Sequence, residues 1–249
     1  MQTQPATLEK RLTLKSRSLF NLKEHFGRLV PATFINRLNR FVVVAQVSGE
    51  LRTAHLSDTG RLSELLTPSS PLLLAPNPKG KLDYKVVAVK KAGQWVLINT
   101  QVHPKIAQRL IEEGYLGFKP KEVRREVKAG KSRIDFLIDG HFYLEVKGCN
   151  LAVSGKCLFP DAPTERGRKH LEELIELKKR GYRAGVLFLA FRKCAELLPN
   201  SKTDPAFAEA FKRAKSEGVE FSAFNLSLNP VSGEVEVVKA LLPTKFKKF

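Results

Sequence analysis

Cysteine is scarce in this 249-residue chain, long apolar runs are missing, and acidic residues are outnumbered by basic ones, 25 to 43. Each shortage excludes something. Three cysteines, an odd number at no zinc-ligand spacing, predict that Cys149, Cys157 and Cys194 are buried reduced thiols rather than a disulfide framework or a zinc site. The N-terminus shows no apolar run like a signal-peptide core, and no segment nears the length of a membrane span. A cytoplasmic protein with no membrane contact is the expectation. His25, His55, His103 and His141 form no metal-ligand spacing, and neither a nucleophilic triad nor a phosphate-loop glycine motif is present. Internal repeats and low-complexity blocks are also missing.

The deficit of acid leaves a formal net charge of +18. Residues 1–100 hold 15 Lys and Arg against 6 Asp and Glu, and residues 101–249 hold 28 against 19, an excess of nine in each half. The basicity is therefore no appended tail. A polyanion is the natural partner, because phosphate neutralisation with counterion release provides most sequence-independent affinity for nucleic acid. The plainer reading, excess lysine for solubility, stays open. A hydrophobic content of 43% gives ample material for a core in one large domain or two small ones.

Three regions follow from the patterning. Residues 1–28 are polar and basic with weak periodicity and read as a loosely attached arm. From 29 to 102, short strands such as Phe41–Ala45, Lys85–Val89 and Trp95–Ile98 are separated by turn signals including Asp58-Thr59-Gly60. Five or so strands of this kind predict an OB-like β-barrel, a fold that binds single strands with a basic groove and stacking aromatics. Aromatics are sparse there: Phe34, Phe41, Tyr84 and Trp95. From 103 to 249 the order is helix, three strands, helix, strand, helix, strand. Pro104 and Gly114 bracket the first helix, and Thr164 caps a second that stops at Gly181. A long loop is expected between the hairpin and Thr164. Val186–Ala190 is a continuous apolar run suited to a central strand, and an α/β domain around a mixed sheet is implied. Lys245–Phe249 reads as a basic flap.

The most informative stretch runs from Ser132 to Lys147. Asp139-Gly140 is a hairpin signal between two alternating runs. Burial of Ile134, Phe136, Ile138, Phe142, Leu144 and Val146 on one face requires an odd-length loop, because a one-residue slip would turn a whole strand over. The opposite face then brings Asp135 beside Glu145, with Lys147 two residues beyond. Two adjacent carboxylates repel unless a proton or a cation sits between them. A hard ion, Mg²⁺ or Mn²⁺, suits such ligands and can activate water for phosphodiester hydrolysis, with lysine stabilising negative charge. An acidic-x-basic triplet alone also arises by chance on solvated strands. Glu126, on the preceding strand, is a candidate third carboxylate or water-positioning base, or equally an exposed sheet-edge residue; Glu112 and Glu113 are weaker rivals. Arg133, Thr164, Arg166 and His170 are candidates for positioning phosphates, the last three around a helix N-terminus.

These residues resemble a known family. Ser132-Arg133-Ile134-Asp135-Phe136, Glu145 to Leu151, Phe159 to Gly167, Arg37-Leu38-Asn39-Arg40-Phe41 and Thr59-Gly60-Arg61 together are similar to the sugar fermentation stimulation protein family, SfsA. His55-Leu56-Ser57-Asp58 departs from the His-x-Pro-Asn pattern expected there. The resemblance implies an OB-like barrel followed by a PD-(D/E)xK nuclease-type domain of the restriction-endonuclease kind, and a DNA-binding protein linked to sugar metabolism. On the matching positions it implies a catalytic set of Asp135, Glu145 and Lys147 with Glu126 as acidic partner, and a metal held by Asp135 and Glu145. Arg37, Arg40 and Arg61 join the candidates for nucleic-acid contact. The expectation is thus a DNA-binding protein, for double or single strands, with a metal-dependent nuclease site. A non-catalytic DNA-binding regulator on the same scaffold is the alternative, an enzyme acting on a small phosphorylated substrate is a third reading, and a homodimer stays open.

Overall fold

A computed structural model describes residues 18–130 and 132–241. The chain begins with β1 (Ser18–Asn21) and a short helix α1 (Leu22–Phe26). It then builds β2 (Val30–Asn39), β3 (Val42–Val47), β4 (Glu50–His55), β5 (Pro71–Pro76), β6 (Tyr84–Lys91) and β7 (Gln94–Leu97). β2, β3 and β4 pair antiparallel in order, β2 also pairs with β5, and β5 with β6. Parallel pairing of Ala54 and His55 with Tyr84 and Lys85 closes the ring into a five-stranded barrel, with β7 added outside β6. Closure removes the free edges that an open sheet of this size would present. Phe34, Val43, Ala45, Ala54, Leu72, Leu74, Val86 and Ala88 fill the interior. Phe41, expected in the buried run, is instead 47% exposed: it belongs to the β2–β3 turn, and burial alternates from Val43 onward.

A 3₁₀ turn at Thr100–Val102 leads into α2 (His103–Glu112) and then the second domain. Its elements are β8 (Val123–Ala129), β9 (Ser132–Ile138), β10 (Phe142–Cys149), β11 (Leu151–Val153), β12 (Lys156–Phe159), α3 (Glu165–Lys179), β13 (Arg183–Ala190), β14 (Glu196–Pro199), α4 (Pro205–Ser216), β15 (Glu220–Leu228) and β16 (Glu234–Ala240). The main sheet runs β1-β16-β15-β13-β10-β9-β8, with β10, β13 and β15 parallel and the outer pairs antiparallel. One face packs on α2 and the barrel in a continuous core containing Phe136, Leu144, Leu187 and Leu189. The other face, with Val186 and Phe188, packs under α3 and α4. Burial on both faces explains why Val186–Ala190 reads as an unbroken apolar run. The architecture is an α/β domain of the restriction-endonuclease type behind an OB-like barrel. No helix among the described residues is long and apolar enough to cross a membrane.

Three sequence expectations need correction. Residues 18–28 are not a loose arm: β1 pairs with β16 at the sheet edge, and Leu19 and Leu22 are buried. Leu19 and Leu22 are the buried anchors, with Phe20 and Phe26 packed against the same core, and their spacing fits neither a strand nor a helix throughout. The rest of the expected arm, 1–17, and the expected flap at 245–249 lie outside the described residues. The long loop before Thr164 contains β11 and β12, which join β14 in a small three-stranded sheet. Strands of three or four residues show no alternation, and β12 finds its parallel partner about forty residues later. In that sheet Cys157 and Cys194 are joined as a disulfide, so only Cys149 among the three is a free, buried thiol. Spacing along the chain carries no information about this pair, which the β12–β14 contact brings together.

Candidate active site

The hairpin has the odd loop. Asp139, Gly140 and His141 connect β9 to β10, Asp139 and Gly140 both at positive φ, and Ile138 faces Phe142 while Phe136 faces Leu144. Past Leu144 the ladder stops, and the Asp135 side chain takes the place of a backbone partner: the Val146 N–H donates to Asp135 Oδ2 at 2.7 Å. On the other flank the β8–β9 ladder sets Arg125 opposite Phe136 and Val127 opposite Ile134 but skips the Glu126–Asp135 step. Glu126 sits there with a left-handed backbone, φ +53°. This interruption lets Ile134 pack with the helix-side core, the opposite face from Phe136 and Ile138. The expectation of one apolar face for all three residues is therefore corrected at Ile134. A lapse in pairing of this kind re-aims side chains and is common beside functional sites.

Glu145 is buried to 3% exposure on the helix-side face of β10. Its Oε1 accepts Lys147 Nζ at 2.5 Å and also bonds His170 Nδ1, which reaches down from α3. Lys147 Nζ and His170 Nδ1 are 3.2 Å apart. Glu145 Oε2, by contrast, is buried with no hydrogen-bond partner. Burial pushes the Glu145 pKa up, but the His170 hydrogen bond and the charges of Lys147 and His170 outweigh it and hold the carboxyl below its ordinary value. Asp135 goes the other way: burial first and the Glu145 charge second push it up to about 6. Neighbouring carboxylates with oppositely shifted pKa values are a recurrent mark of functional sites.

Whether these residues suit a divalent ion is a question of donors. Glu145 Oε2 is an orphaned carboxylate oxygen, and Asp135 Oδ1 has no protein donor among the described residues. The Asp135 carboxylate is acted on by the Glu145 charge more strongly than by the opposing Lys147 charge, and it forms no ion pair within 4 Å among the described residues. Ions such as Mg²⁺ are commonly held by one or two carboxylates plus water and substrate phosphate, so the set fits. Among the described residues no group of three or more His, Cys, Asp or Glu side chains stands at metal-holding spacing. Glu126 is exposed and does not complete such a group.

The remaining candidates separate by environment. His170 is buried against Glu145 and Lys147, which places it within the carboxylate cluster and not on a surface for nucleic acid. Thr164 caps α3, its Oγ1 accepting the Gly167 N–H at 3.0 Å, while its own N–H goes to Asp204 Oδ2 at 2.8 Å. Its hydroxyl is thereby committed to the helix. Arg37 donates to the carbonyls of Asn39, Arg40, Gly60 and Arg61 and so ties two barrel loops together rather than facing a ligand. Arg40, Arg61, Arg133 and Arg166 are exposed, and Arg40 and Arg166 line one cleft between the domains.

His103, without a role from sequence, is fully buried, stacked on Phe191 with ring centroids 5.9 Å apart, and its Nε2 has no partner. It explains Gly148, directly after Lys147: a β carbon there would lie 2.5 Å from His103 Cε1. Gly148→Ala should therefore cost about 2 kcal/mol or more by overpacking against a ring that cannot retreat, read as a lower urea midpoint. An unchanged midpoint would mean the ring has room to move.

The fold and cluster together define a two-domain protein: an OB-like barrel joined to a restriction-endonuclease-type domain with a paired-carboxylate and lysine site. Family models agree with that division, matching residues 35–98 as the SfsA N-terminal OB domain and 101–232 as the sugar fermentation stimulation protein RE domain. The chain belongs to the sugar fermentation stimulation protein family. It is 48% identical over 193 residues to a homolog from Sulfolobus acidocaldarius, covering 77% of this chain and 80% of the relative. A homolog from Methanothermobacter thermautotrophicus is 42% identical over 205 residues, 78% of this chain and 85% of the relative. The solved structure of Pyrococcus furiosus SfsA in complex with Ca²⁺ superposes with a TM-score of 0.82 at 30% identity, covering 90% of this chain and 98% of that one.

Proposed function

We propose that the protein binds DNA and hydrolyses its phosphodiester backbone with Mg²⁺ or Mn²⁺. The observation that carries the reading is the orphaned Glu145 Oε2 beside an Asp135 whose carboxyl is pushed up to about 6, within reach of Lys147. Asp135 and Glu145 would hold the ion, which, when bound, polarises the phosphoryl group and lowers the pKa of water. The chain's own residues do the rest. The backbone of Val146 fixes Asp135, and His170 fixes Glu145. The Lys147 ammonium stands at the same carboxylate to orient a water and to offset negative charge developing on the phosphate. His170 acts through Glu145 and Lys147 and is a positioning residue. The Ca²⁺ complex of the Pyrococcus furiosus relative supports a site suited to hard ions in this family.

Affinity for DNA rests on charge. An excess of +18 with basic residues in both domains suits a polyphosphate better than a small phosphorylated metabolite. At the tip of the β2–β3 turn, Leu38 and Phe41 are exposed, and the Arg40 guanidinium lies over the Phe41 ring, 5.4 Å from its centroid. An exposed ring backed by arginine is the kind of platform on which unpaired bases stack. The logarithm of affinity for a short oligonucleotide should fall linearly with the logarithm of salt concentration, measured by fluorescence anisotropy. A flat salt response would remove the polyanion reading.

The decisive experiment is a cleavage screen of duplex, single-stranded and branched DNA with Mn²⁺ and Mg²⁺, comparing wild type with Asp135→Ala purified identically. Cleavage by the wild type alone supports the site. DNA binding without cleavage of any substrate would instead favour a non-catalytic regulator on this scaffold.

A further inference from the structure

A second group of oxygen donors lies outside that site, in a cleft of about 520 Å³ where the barrel meets the nuclease-type domain. Asp58 comes from the barrel loop after β4; Asn150 and Asp161 come from the segments after β10 and β12. Asp58 Oδ1 accepts the Gly60 N–H at 2.9 Å, and Asp58 Oδ2 accepts Asn150 Nδ2 at 3.1 Å. Asp161 packs against Gly60 so closely that a β carbon there would collide with its carboxylate. Asp58 and Asp161 thus stand at one loop, near enough for their charges to act on each other.

Neither carboxylate forms an ion pair within 4 Å among the described residues. Arg37, the neighbouring cation, gives its donors to four backbone carbonyls instead. Independently, Asn150 is only 6% exposed, lines the same cleft, and its Oδ1 has no hydrogen-bond partner. A buried amide oxygen left unsatisfied is costly, and native proteins rarely leave one so. One water could satisfy that oxygen but would add no charge to set against two neighbouring carboxylates that share the single Arg37 guanidinium. A divalent ion answers both at once, since hard cations take carboxylate and amide oxygens together.

We propose that Asp58, Asp161 and Asn150 Oδ1 form a second divalent-cation site that bridges the barrel to the nuclease-type domain. The ion would complete its shell with water and hold the two walls of the cleft together, and with them Arg40 and Arg166, which line it. This site is separate from Asp135 and Glu145 and does not depend on cleavage activity.

The test is Mn²⁺ stoichiometry by calorimetry on the full chain. Wild type is expected to bind two ions, Asp135→Ala/Glu145→Ala one, and Asp58→Asn/Asp161→Asn one. Asp161→Asn alone, at a half-buried position, serves if the double variant folds poorly. Retention of two ions by the Asp58/Asp161 variants, or loss of all binding in Asp135→Ala/Glu145→Ala, overturns the proposal and leaves Asn150 Oδ1 to a water. A single ion in wild type that survives Asp135→Ala/Glu145→Ala but is lost in Asp161→Asn upholds the cleft site and sinks the catalytic metal instead.

Discussion

Asp135→Ala is expected to lower metal-dependent cleavage on the order of a thousandfold while leaving DNA affinity nearly unchanged. Removing one of two carboxylate ligands forfeits several kcal/mol of charge stabilisation in the transition state, and each 1.4 kcal/mol or so is a factor of ten in rate. Affinity, on the proposed reading, would be spread over many of the Lys and Arg side chains present in both halves of the chain. Deleting a carboxylate can even favour binding slightly by reducing repulsion of phosphate. Lys147→Met should also act on rate more than on affinity, by about a hundredfold, since one ammonium is lost from the polyanion surface but its developing-charge partner is lost entirely. Single-turnover cleavage and anisotropy on the same preparations read the two effects separately. Equal turnover by Asp135→Ala and wild type would sink the catalytic assignment.

The same carboxyl makes an opposite prediction for stability. Asp135 is pushed up to about 6 by burial and by the Glu145 charge, against about 4 for an unfolded aspartate. Between those values the folded state keeps a proton that the unfolded chain has released. Stability therefore falls as pH rises from about 4 to about 6 and stays lower above that. The shift corresponds to up to about 3 kcal/mol at pH 8, reduced by whatever water reaches the group. Asp135→Asn keeps an oxygen for the Val146 N–H and removes the charge. In cation-free buffer it should exceed wild type in stability by up to that amount at pH 8 and match it below pH 4. Asp58, also pushed up to about 6, and His103, pushed down to about 4, cancel in this comparison because both proteins contain them. Mn²⁺ at about 100 times the dissociation constant of the Asp135–Glu145 site should return roughly 2.7 kcal/mol to the wild type through that site, while any ion in the Asp58–Asp161 cleft stabilises both proteins equally and cancels. Urea midpoints of both proteins at pH 4 and pH 8, with EDTA and with Mn²⁺, give the eight values required. Identical midpoints at pH 8 in EDTA would show that Asp135 carries no such cost.

If Asp135→Asn proves the more stable, the Asp135 carboxylate is kept at a thermodynamic cost, which is the usual relation between stability and a working site. Glu145 is in the opposite situation: His170 and Lys147 engage one of its oxygens and hold its carboxyl below the ordinary value, and the other oxygen has no protein partner.

Much of this was legible along the chain because it depends on residues close in sequence. The hairpin register follows from period-two alternation around a three-residue turn, and its extension past Phe136 and Leu144 points Asp135 towards Glu145, although Ile134 departs from that alternation. The α3 boundaries follow from Thr164 and Gly181, whose roles are local capping and a positive φ. The basic character of both domains is a matter of counting. What only the tertiary structure decided involves pairs far apart in sequence, where neither spacing nor composition acts as a signal. β1 docks on β16 across more than two hundred residues; Cys157 meets Cys194 only because β12 lies beside β14. His170 turns from a surface contact into the partner of Glu145 because α3 crosses the sheet over β10. Arg37 is drawn from a ligand surface into loop carbonyls. Asp58 meets Asn150 and Asp161 only when the barrel closes onto the second domain. Local order is set by backbone sterics and side-chain period, which a sequence displays directly; the partner of a buried charge is set by how whole layers pack.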